Sequence, residues 1–316
     1  MKKFMLSISL ILISLLILSV VSDYFITKTL RKSKDKYYST WNDLVGGKIN
    51  STILIYGSSR ARAHVNTKIL EDSLQQPVYN LGIDSYNFKM QYCRHQLILQ
   101  NNNKPAYIIQ TLDYATLGDV EGLYEKEQFL PYFDNEIITN TIKTYKGFNE
   151  YDYHLPLLRY YGCTKQIVSS FNIFLRPSHN KGNRYKGFYN FNQNWTYEFE
   201  KLKLTTKELH QEIKKNVVVL FDKYLADLKK KNIKVIFVYT PEYIEGQKFI
   251  ANRAEIMKLY TNLALKYNIP FIDYSSDTIC LNRKYFYNAE HLNLEGANLF
   301  SKKLATDLKR YIHISK

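Results

Sequence analysis

Short runs of apolar residues recur along the chain, and small or polar residues follow most of them. They lie at residues 52–56, 77–82, 105–113, 233–241 and 269–275. Near-continuous apolar runs of this length are typical of strands that are buried on both faces of a parallel sheet. The pattern therefore predicts five strands in one such sheet.

Amphipathic segments with helical spacing lie between these runs. The segments 66–74 and 85–99 begin with plausible capping residues, Asn66 and Ser85. Two more segments, 217–231 and 253–268, precede the fourth and fifth strands. Alternating strands and helices predict an α/β fold. We expect a three-layer αβα domain with a doubly wound parallel sheet of the flavodoxin-like type.

The alternation is interrupted at residues 114–205, which are rich in Tyr, Phe, Asn and Gly and show no regular period. Two interpretations are open. The segment is an insertion that packs its aromatic side chains against the main domain, or it is a cap that binds substrate through aromatic and polar side chains.

Residues 4–21 are predominantly apolar, carry no charge and follow two lysines. A stretch of this length predicts a membrane-spanning helix, although a cleaved signal sequence remains an alternative. We therefore divide the chain into a transmembrane anchor (1–26), a juxtamembrane linker (27–48) and a main domain (49–316). Basic residues at 31–36 would favour the cytoplasmic side under the positive-inside rule, so the sequence leaves the orientation open.

The formal net charge of +15 suggests an anionic partner such as nucleic acid, an acidic glycan or a membrane surface. The lysines are spread along the chain and no nucleic-acid-binding motif is present, so we expect no nucleic-acid partner. Three isolated cysteines indicate neither a zinc site nor a disulfide framework. No Asp/His cluster has the spacing of metal ligands, and we predict no metal and no cofactor.

Candidate chemistry lies where the predicted strands end, because ligands of open parallel sheets bind beyond the carboxyl ends of the strands. Ser59 follows the first strand, Gly82 the second and Asp113 the third, and His291 precedes the last helix. A nucleophilic serine needs a base within hydrogen-bond reach, and His291 is the candidate. Alternatively, Ser58 and Ser59 only cap a helix.

Three motifs together resemble the SGNH (GDSL-type) hydrolase superfamily: "GSS" at 57–59, "YNLGIDS" at 79–85 and "FYNAEHLNLEGANLFS" at 286–301. The resemblance spans about 50–312 and is interrupted by the insertion. It implies that Ser59 is the nucleophile, that His291 is its base and that Gly82 belongs to the oxyanion hole.

The chain departs from the family pattern at three positions. Ser58 stands where the family has Asp before the nucleophile, and Asp113 stands where an oxyanion-hole Asn is expected. Asn288 replaces the triad Asp. An Asn can orient the His ring but cannot neutralise the imidazolium of the transition state, so the motif predicts a weakened Ser–His site. We also consider Arg60 a candidate for binding an acidic substrate.

By resemblance, we expect a membrane-tethered acyl esterase or O-acetyltransferase that acts on a cell-surface or exported bacterial glycan, with the catalytic domain on the extracytoplasmic (periplasmic) side. The substrate would be an acylated glycan, and the basic charge would suit an acidic one. Two alternatives stay open: a catalytically inactive glycan-binding or assembly component with the same fold, and a membrane protein that faces the cytoplasm.

Overall fold

The computed structural model describes residues 1–190 and 192–313. They form two compact units. The N-terminal unit contains residues 1–42 and 121–183, and the sheet unit contains residues 43–120 and the chain from residue 184 onward.

The sheet unit is built on five parallel strands in the order β2-β1-β3-β4-β5. Their bounds are β1 Ile53–Tyr56, β2 Val78–Asn80, β3 Tyr107–Leu112, β4 Lys234–Tyr239 and β5 Phe271–Asp273. Each strand falls inside one of the five apolar runs. The predicted parallel sheet is therefore confirmed, and with it the α/β fold class.

The α-helices of the described residues are α1 Lys2–Leu30, α2 Ser39–Val45, α3 Ser59–His64, α4 Thr67–Leu74, α5 Phe88–Asn101, α6 Glu136–Ile142, α7 Glu150–His154, α8 Thr164–Leu175, α9 Glu198–Thr205, α10 Lys215–Lys230, α11 Ile244–Phe249, α12 Arg253–Tyr267 and α13 Leu294–Leu308. Short 3₁₀ helices lie at Lys126–Tyr132, Leu158–Tyr160, Pro177–His179, Thr278–Leu281 and Arg283–Tyr285.

Helices cover both faces of the sheet. On one face, Ile55 and Ile109 of the strands share a buried apolar cluster with Leu70 of α4 and Phe300 of α13. On the other face, the ring of Phe221 in α10 stacks against a strand residue of β4, with 5.8 Å between the ring centroids. Because side chains alternate along a strand, each strand supplies residues to both layers. This produces the predicted αβα sandwich.

The structure corrects one predicted helix start. Asn66 caps α4 as expected, and its side chain accepts a hydrogen bond from the Lys68 N–H. Ser85, however, does not cap α5. The cap is Asn87, whose Oδ1 accepts the Lys89 N–H at 3.1 Å. Ser85 instead lies in a turn at φ +57°, a left-handed conformation, whereas an N-cap typically has an extended backbone.

The N-terminal unit combines α1 with a large part of the predicted insertion. Of the aromatic segment 114–205, residues 121–183 belong to this unit, and residues 184–205 belong to the sheet unit. Trp41, which falls in the predicted linker, is fully buried here and packs edge to face on Phe129 at 5.3 Å. Its indole N–H donates to Gln128 Oε1 at 2.9 Å.

Helix α1 is long and apolar enough to cross a membrane, and the side chains of its apolar part are exposed rather than packed inside the unit. This agrees with a single-pass anchor and equally with a signal sequence.

Candidate functional site

Ser59 is held at the start of a sharp turn between β1 and α3. Gly57 has φ +149°, and a Cβ atom there would come within 1.9 Å of Thr111 Oγ1, so only glycine fits this turn. The Ser58 side chain caps α3 by accepting the Arg60 N–H at 3.2 Å. Ser59 is then the first residue of the helix, at the carboxyl edge of the sheet.

His291 lies in the loop that leads into α13. The loop is fixed by hydrogen bonds from the Tyr287 N–H to the His291 carbonyl (3.0 Å) and from the Leu292 N–H to His64 Nε2 (3.0 Å). The Tyr287 ring stacks on the imidazole with 5.2 Å between centroids and 8° between planes. Asn293 caps α13 by accepting the Gly296 N–H. These contacts leave the imidazole little freedom to rotate.

The structure brings Ser59, His291 and Asn288 together. Ser59 Oγ lies 2.7 Å from His291 Nε2, and His291 Nδ1 lies 3.0 Å from Asn288 Oδ1. Each distance is that of a hydrogen bond. Two hydrogen bonds thus connect the Ser59 hydroxyl, the His291 imidazole and the Asn288 amide. Ser59 and His291 are 232 residues apart along the chain.

Asn288 Oδ1 also accepts two backbone N–H groups, those of Glu290 at 3.0 Å and His291 at 2.9 Å. Turning the amide over would bring its NH₂ against these donors. The oxygen therefore faces the ring, and Nδ1 must carry the proton. Nε2 then presents its lone pair to Ser59, which is the tautomer that a general base needs.

The imidazole of His291 is neutral over the ordinary pH range. Burial, followed by the positive charge of Arg62, lowers the pKa of His291 to about 3, whereas the negative charge of Asp84 opposes the shift. Arg62 and Asp84 form an ion pair beside the site. A neutral imidazole can accept the serine proton, but the protonated form is poorly stabilised here.

Two of the residues expected at the oxyanion hole have other partners in the structure. The Gly82 N–H donates to Asn80 Oδ1 at 2.9 Å. Asp113 accepts the Ser58 hydroxyl and, at 2.9 Å, the Ala115 N–H. Asp113 therefore stabilises the turn after β3. Its hydrogen bond with Ser58 also links this turn to the residue that precedes Ser59.

Arg60 lines the cavity into which Ser59 and His291 open, yet its side chain is only 3% exposed. Its Nη1 lies 3.5 Å from Glu242 Oε2, and its Nε donates to Thr240 Oγ1 at 3.1 Å. The ring of Tyr239 lies 5.0 Å from the guanidinium carbon. The charge of Arg60 is thus already matched by Glu242 below the site, and its predicted contact with substrate stays a prediction.

Ser59 and His291 open into a cavity of about 260 Å³. Its wall includes side chains that were not among the predicted site residues: Ser85, Tyr86, Asn87, Tyr114, Asp119, Gln211 and Glu290. Tyr114 donates its hydroxyl hydrogen bond to Glu290, and burial raises the pKa of Glu290. Tyr114 directly follows Asp113, so the rule of inspecting the residues after each strand would have found it. No local signal marks Gln211.

No protein-family model matches the chain, and no curated protein matches it. Solved structures do match. A GDSL-like lipase from Bacteroides thetaiotaomicron is 10% identical with a TM-score of 0.39, over 82% of this chain and 88% of the lipase. The chain is also similar in fold to two esterases. An acetyl xylan esterase is 13% identical (TM-score 0.41), over 83% of this chain and all of the esterase.

A catalytic mutant of an acetylxylan esterase from Geobacillus stearothermophilus is 12% identical with a TM-score of 0.40, over 85% of this chain and all of that one.

Proposed function

We propose that this chain is a membrane-tethered serine esterase with Ser59 as nucleophile and His291 as general base, or an acyltransferase that uses the same two residues. Both reactions would pass through an acyl group bound covalently to Ser59. The observation that carries the proposal is the 2.7 Å hydrogen bond between Ser59 Oγ and His291 Nε2 at the wall of a cavity. A serine hydroxyl becomes a nucleophile when a base oriented by a third group lies within this reach. Asn288 is that third group.

In the proposed reaction, Ser59 Oγ attacks the acyl carbon while its proton passes to His291 Nε2. The tetrahedral intermediate then breaks its bond to the alcohol, which leaves with the proton from His291. Water, or the hydroxyl of an acceptor sugar, attacks the acyl-serine by the same route and restores Ser59. Water gives hydrolysis, and a sugar hydroxyl gives acyl transfer.

We propose the backbone N–H of Ser59 as an oxyanion donor, because the first N–H groups of a helix have no partner within the helix. The Gly82 N–H can join it only by exchanging its bond to Asn80. The contribution of Gly82 that the structure favours is steric. A Cβ atom at Gly82 would lie 2.4 Å from the backbone nitrogen of Arg62 and 2.8 Å from the Ser58 carbonyl oxygen, so glycine lets the loop after β2 approach the nucleophile turn.

The cavity supports a short acyl group on an uncharged alcohol. Its volume of about 260 Å³ accommodates an acetyl group and part of a sugar ring. Glu290 and Asp119 contribute carboxyl groups to its wall, and of these Asp119 is paired with Lys89 at 3.2 Å. The guanidinium of Arg60 is paired with Glu242. An acidic sugar would meet these carboxyl groups. We therefore propose an acetyl ester of a neutral glycan, although the net charge of the whole chain favours an acidic one.

The substrate class is tested by comparing acetate release from an acetylated neutral xylo-oligosaccharide and from an acetylated oligogalacturonate of similar length. Faster release from the neutral oligosaccharide supports the cavity argument. Preference for the galacturonate would show that the basic charge of the chain, rather than the cavity wall, selects the substrate.

The catalytic site is tested with a fluorophosphonate probe that reacts with activated serines. We expect labelling of the wild-type chain at Ser59, none in Ser59→Ala and a loss of about 100-fold or more in His291→Ala. Ser85→Ala is the matched control, since its hydroxyl also lines the cavity, and it should keep the label. Absence of labelling in folded wild-type protein would overturn the proposal.

A second candidate function is a glycan-binding or assembly component that does not catalyse a reaction. Two observations favour it: an amide at position 288 instead of a carboxylate, and a Gly82 N–H that is bonded to Asn80. It predicts glycan binding with no probe labelling, and with no change in binding upon Ser59→Ala.

We further propose that α1 anchors the chain and that the sheet unit is exported, where acylated glycans are found. A C-terminal alkaline phosphatase fusion, which is active only outside the cytoplasm, should be active. An inactive alkaline phosphatase together with an active cytoplasmic reporter at the same position would reverse the orientation.

A further inference from the structure

Helix α8 packs along α1 just beyond the apolar part of that helix. The ring of Phe25 in α1 lies between two rings of α8, at 5.3 Å from Phe171 and 5.2 Å from Phe174. All three residues belong to the N-terminal unit. Beside them, Arg159 donates two hydrogen bonds to Asp23 of α1. The ring contacts therefore hold α8 against α1, and the ion pair holds the 3₁₀ helix that precedes α8 against the same helix.

The apolar side of α8 is nevertheless exposed. Val168 is 52% exposed, Phe171 49%, Phe174 62% and Leu175 69%. Their spacing of three and four residues puts them along one side of the helix, and Ser170, between them in sequence, is buried. Large exposed apolar side chains on one stripe indicate a surface that contacts something other than water.

The position along α1 identifies that contact. Phe25 lies four residues beyond Val21, the last residue of the apolar segment, which is about 6 Å at the helical rise of about 1.5 Å per residue. A segment that spans the hydrocarbon core with residues 4–21 would place Phe25 in the headgroup region. Tyr24 (63% exposed) precedes it, and Tyr161 (87% exposed) follows Tyr160, whose hydroxyl lies 2.8 Å from Thr27 Oγ1 of α1. Exposed tyrosines are typical of the membrane–water boundary.

Cations flank the apolar stripe. A cavity of about 490 Å³ between α8 and the segment that follows α1 is lined by Lys165, Arg176 and Lys181, together with the single carboxylate of Asp35 among its lining residues. Apolar side chains beside clustered lysine and arginine are the combination with which helices bind anionic bilayer surfaces.

We infer that α8 is an interfacial helix. It lies in the headgroup region of the bilayer that α1 enters, with Val168, Phe171, Phe174 and Leu175 among the lipid chains and the cations of the cavity on anionic phospholipid headgroups. The inference rests on the anchoring by α1 that is part of the proposed function, and it is independent of the chemistry at Ser59.

The test uses the full chain in lipid nanodiscs, with Cys163→Ser to remove the partly exposed thiol. A fluorescent NBD label is attached through Phe171→Cys and quenched by lipids that carry a nitroxide on the acyl chain. Leu15→Cys in α1 is the control inside the membrane, and Lys223→Cys, at an exposed position of α10, is the control in water. We expect quenching at position 171 several-fold above that at 223 and approaching that at 15.

Quenching at position 171 equal to that at 223, with position 15 quenched, would overturn the inference while leaving the anchoring intact. Failure to quench at 15 would overturn both. Disulfide cross-linking through Phe171→Cys between copies, with no quenching, would overturn it in favour of self-association.

Adding phosphatidylglycerol to phosphatidylcholine discs should increase quenching at 171, and the triple variant Lys165→Gln, Arg176→Gln, Lys181→Gln should lose this increase. An unchanged increase would refute the contact with headgroups.

Discussion

Replacing Asn288 by Asp is the most informative change to the site. Asn288 Oδ1 lies 3.0 Å from His291 Nδ1 and accepts two backbone N–H groups within 3.0 Å. A carboxylate has the same shape and accepts the same three donors. The substitution therefore keeps the geometry and adds one negative charge next to the imidazole.

The size of the effect follows from charge alone. Two unit charges about 4 Å apart attract by about 4 kcal/mol at an effective dielectric constant of about 20. Stabilising the imidazolium of the transition state by that amount corresponds to about 10³ in rate. In serine proteases, the reverse change costs about 10⁴, but there the Asn also imposes the wrong tautomer. Since Asn288 already holds the right tautomer, we expect Asn288→Asp to raise kcat/KM by about 10²–10³.

The pH profile provides a second readout. Burial, followed by the charge of Arg62, lowers the pKa of His291 to about 3, so the wild-type base is neutral across about pH 5 to 8 and its profile should be flat at the acid end. A carboxylate at position 288 raises the pKa of His291. Because the base must be neutral, the acid limb of the Asn288→Asp profile should move to higher pH.

The assay is hydrolysis of 4-nitrophenyl acetate by the full chain in detergent, with kcat and KM followed against pH. Asn282→Asp is the matched control, since it adds the same charge in the same loop region on an exposed asparagine that only caps a 3₁₀ turn. Ser59→Ala sets the background rate. If Asn288→Asp is no faster than wild type, or if Asn282→Asp accelerates the reaction equally, the electrostatic reasoning is refuted.

Three further predictions concern the framework of the site. Gly82→Ala should lower the free energy of unfolding, measured by urea denaturation, by about 1–3 kcal/mol and should reduce esterase activity, because the new Cβ would lie 2.4 Å from the backbone of α3. Gly122→Ala is the control and should change neither, since its Cβ would have no neighbour closer than 3.8 Å. Glu242→Gln should destabilise the fold by about 3–5 kcal/mol, since it leaves Arg60 buried without its counter-charge, and an unchanged midpoint would contradict the pairing. Burial lowers the pKa of His95 to about 4, against about 6.5 in an unfolded chain. Between these two pH values the unfolded state binds more protons than the folded state. The free energy of unfolding should therefore be highest above about pH 6.5 and fall by up to about 3 kcal/mol as the pH is lowered toward 4. The fall should be smaller in His95→Gln, and an equal fall would exclude His95 as its source.

The strands and helices of the sheet unit follow from the local pattern. Strand β1 is apolar at every position because both of its faces are buried, whereas β3 is equally buried and yet includes the polar residues Gln110 and Thr111. The amphipathic period predicted α4, α10 and α12 in the same way, and Asn66 marked the start of α4. The start of α5 was predicted two residues early, since Ser85 and Asn87 are both good caps and only the backbone turn at Ser85 decides between them.

The candidate nucleophile and base could be proposed from the sequence because both lie at the carboxyl edge of the sheet, where topology alone brings residues 59 and 291 near each other. Their hydrogen bond, and the role of Asn288 in holding the imidazole, depend on atomic positions that no periodicity encodes.

By itself, the sequence determined the five strands, the helices α4, α5, α10 and α12, the apolar α1 and the short set of candidate site residues, since these depend on neighbours a few positions away. Only the tertiary structure decided that Arg60 is paired with Glu242, that the Gly82 N–H is taken by Asn80, and that Glu290 meets Tyr114 beside the cavity. It also divided the aromatic segment between two units. The physical reason is that most of these outcomes are set by packing between segments far apart in the chain, where burial and hydrogen-bond competition select one partner from several that the sequence allows.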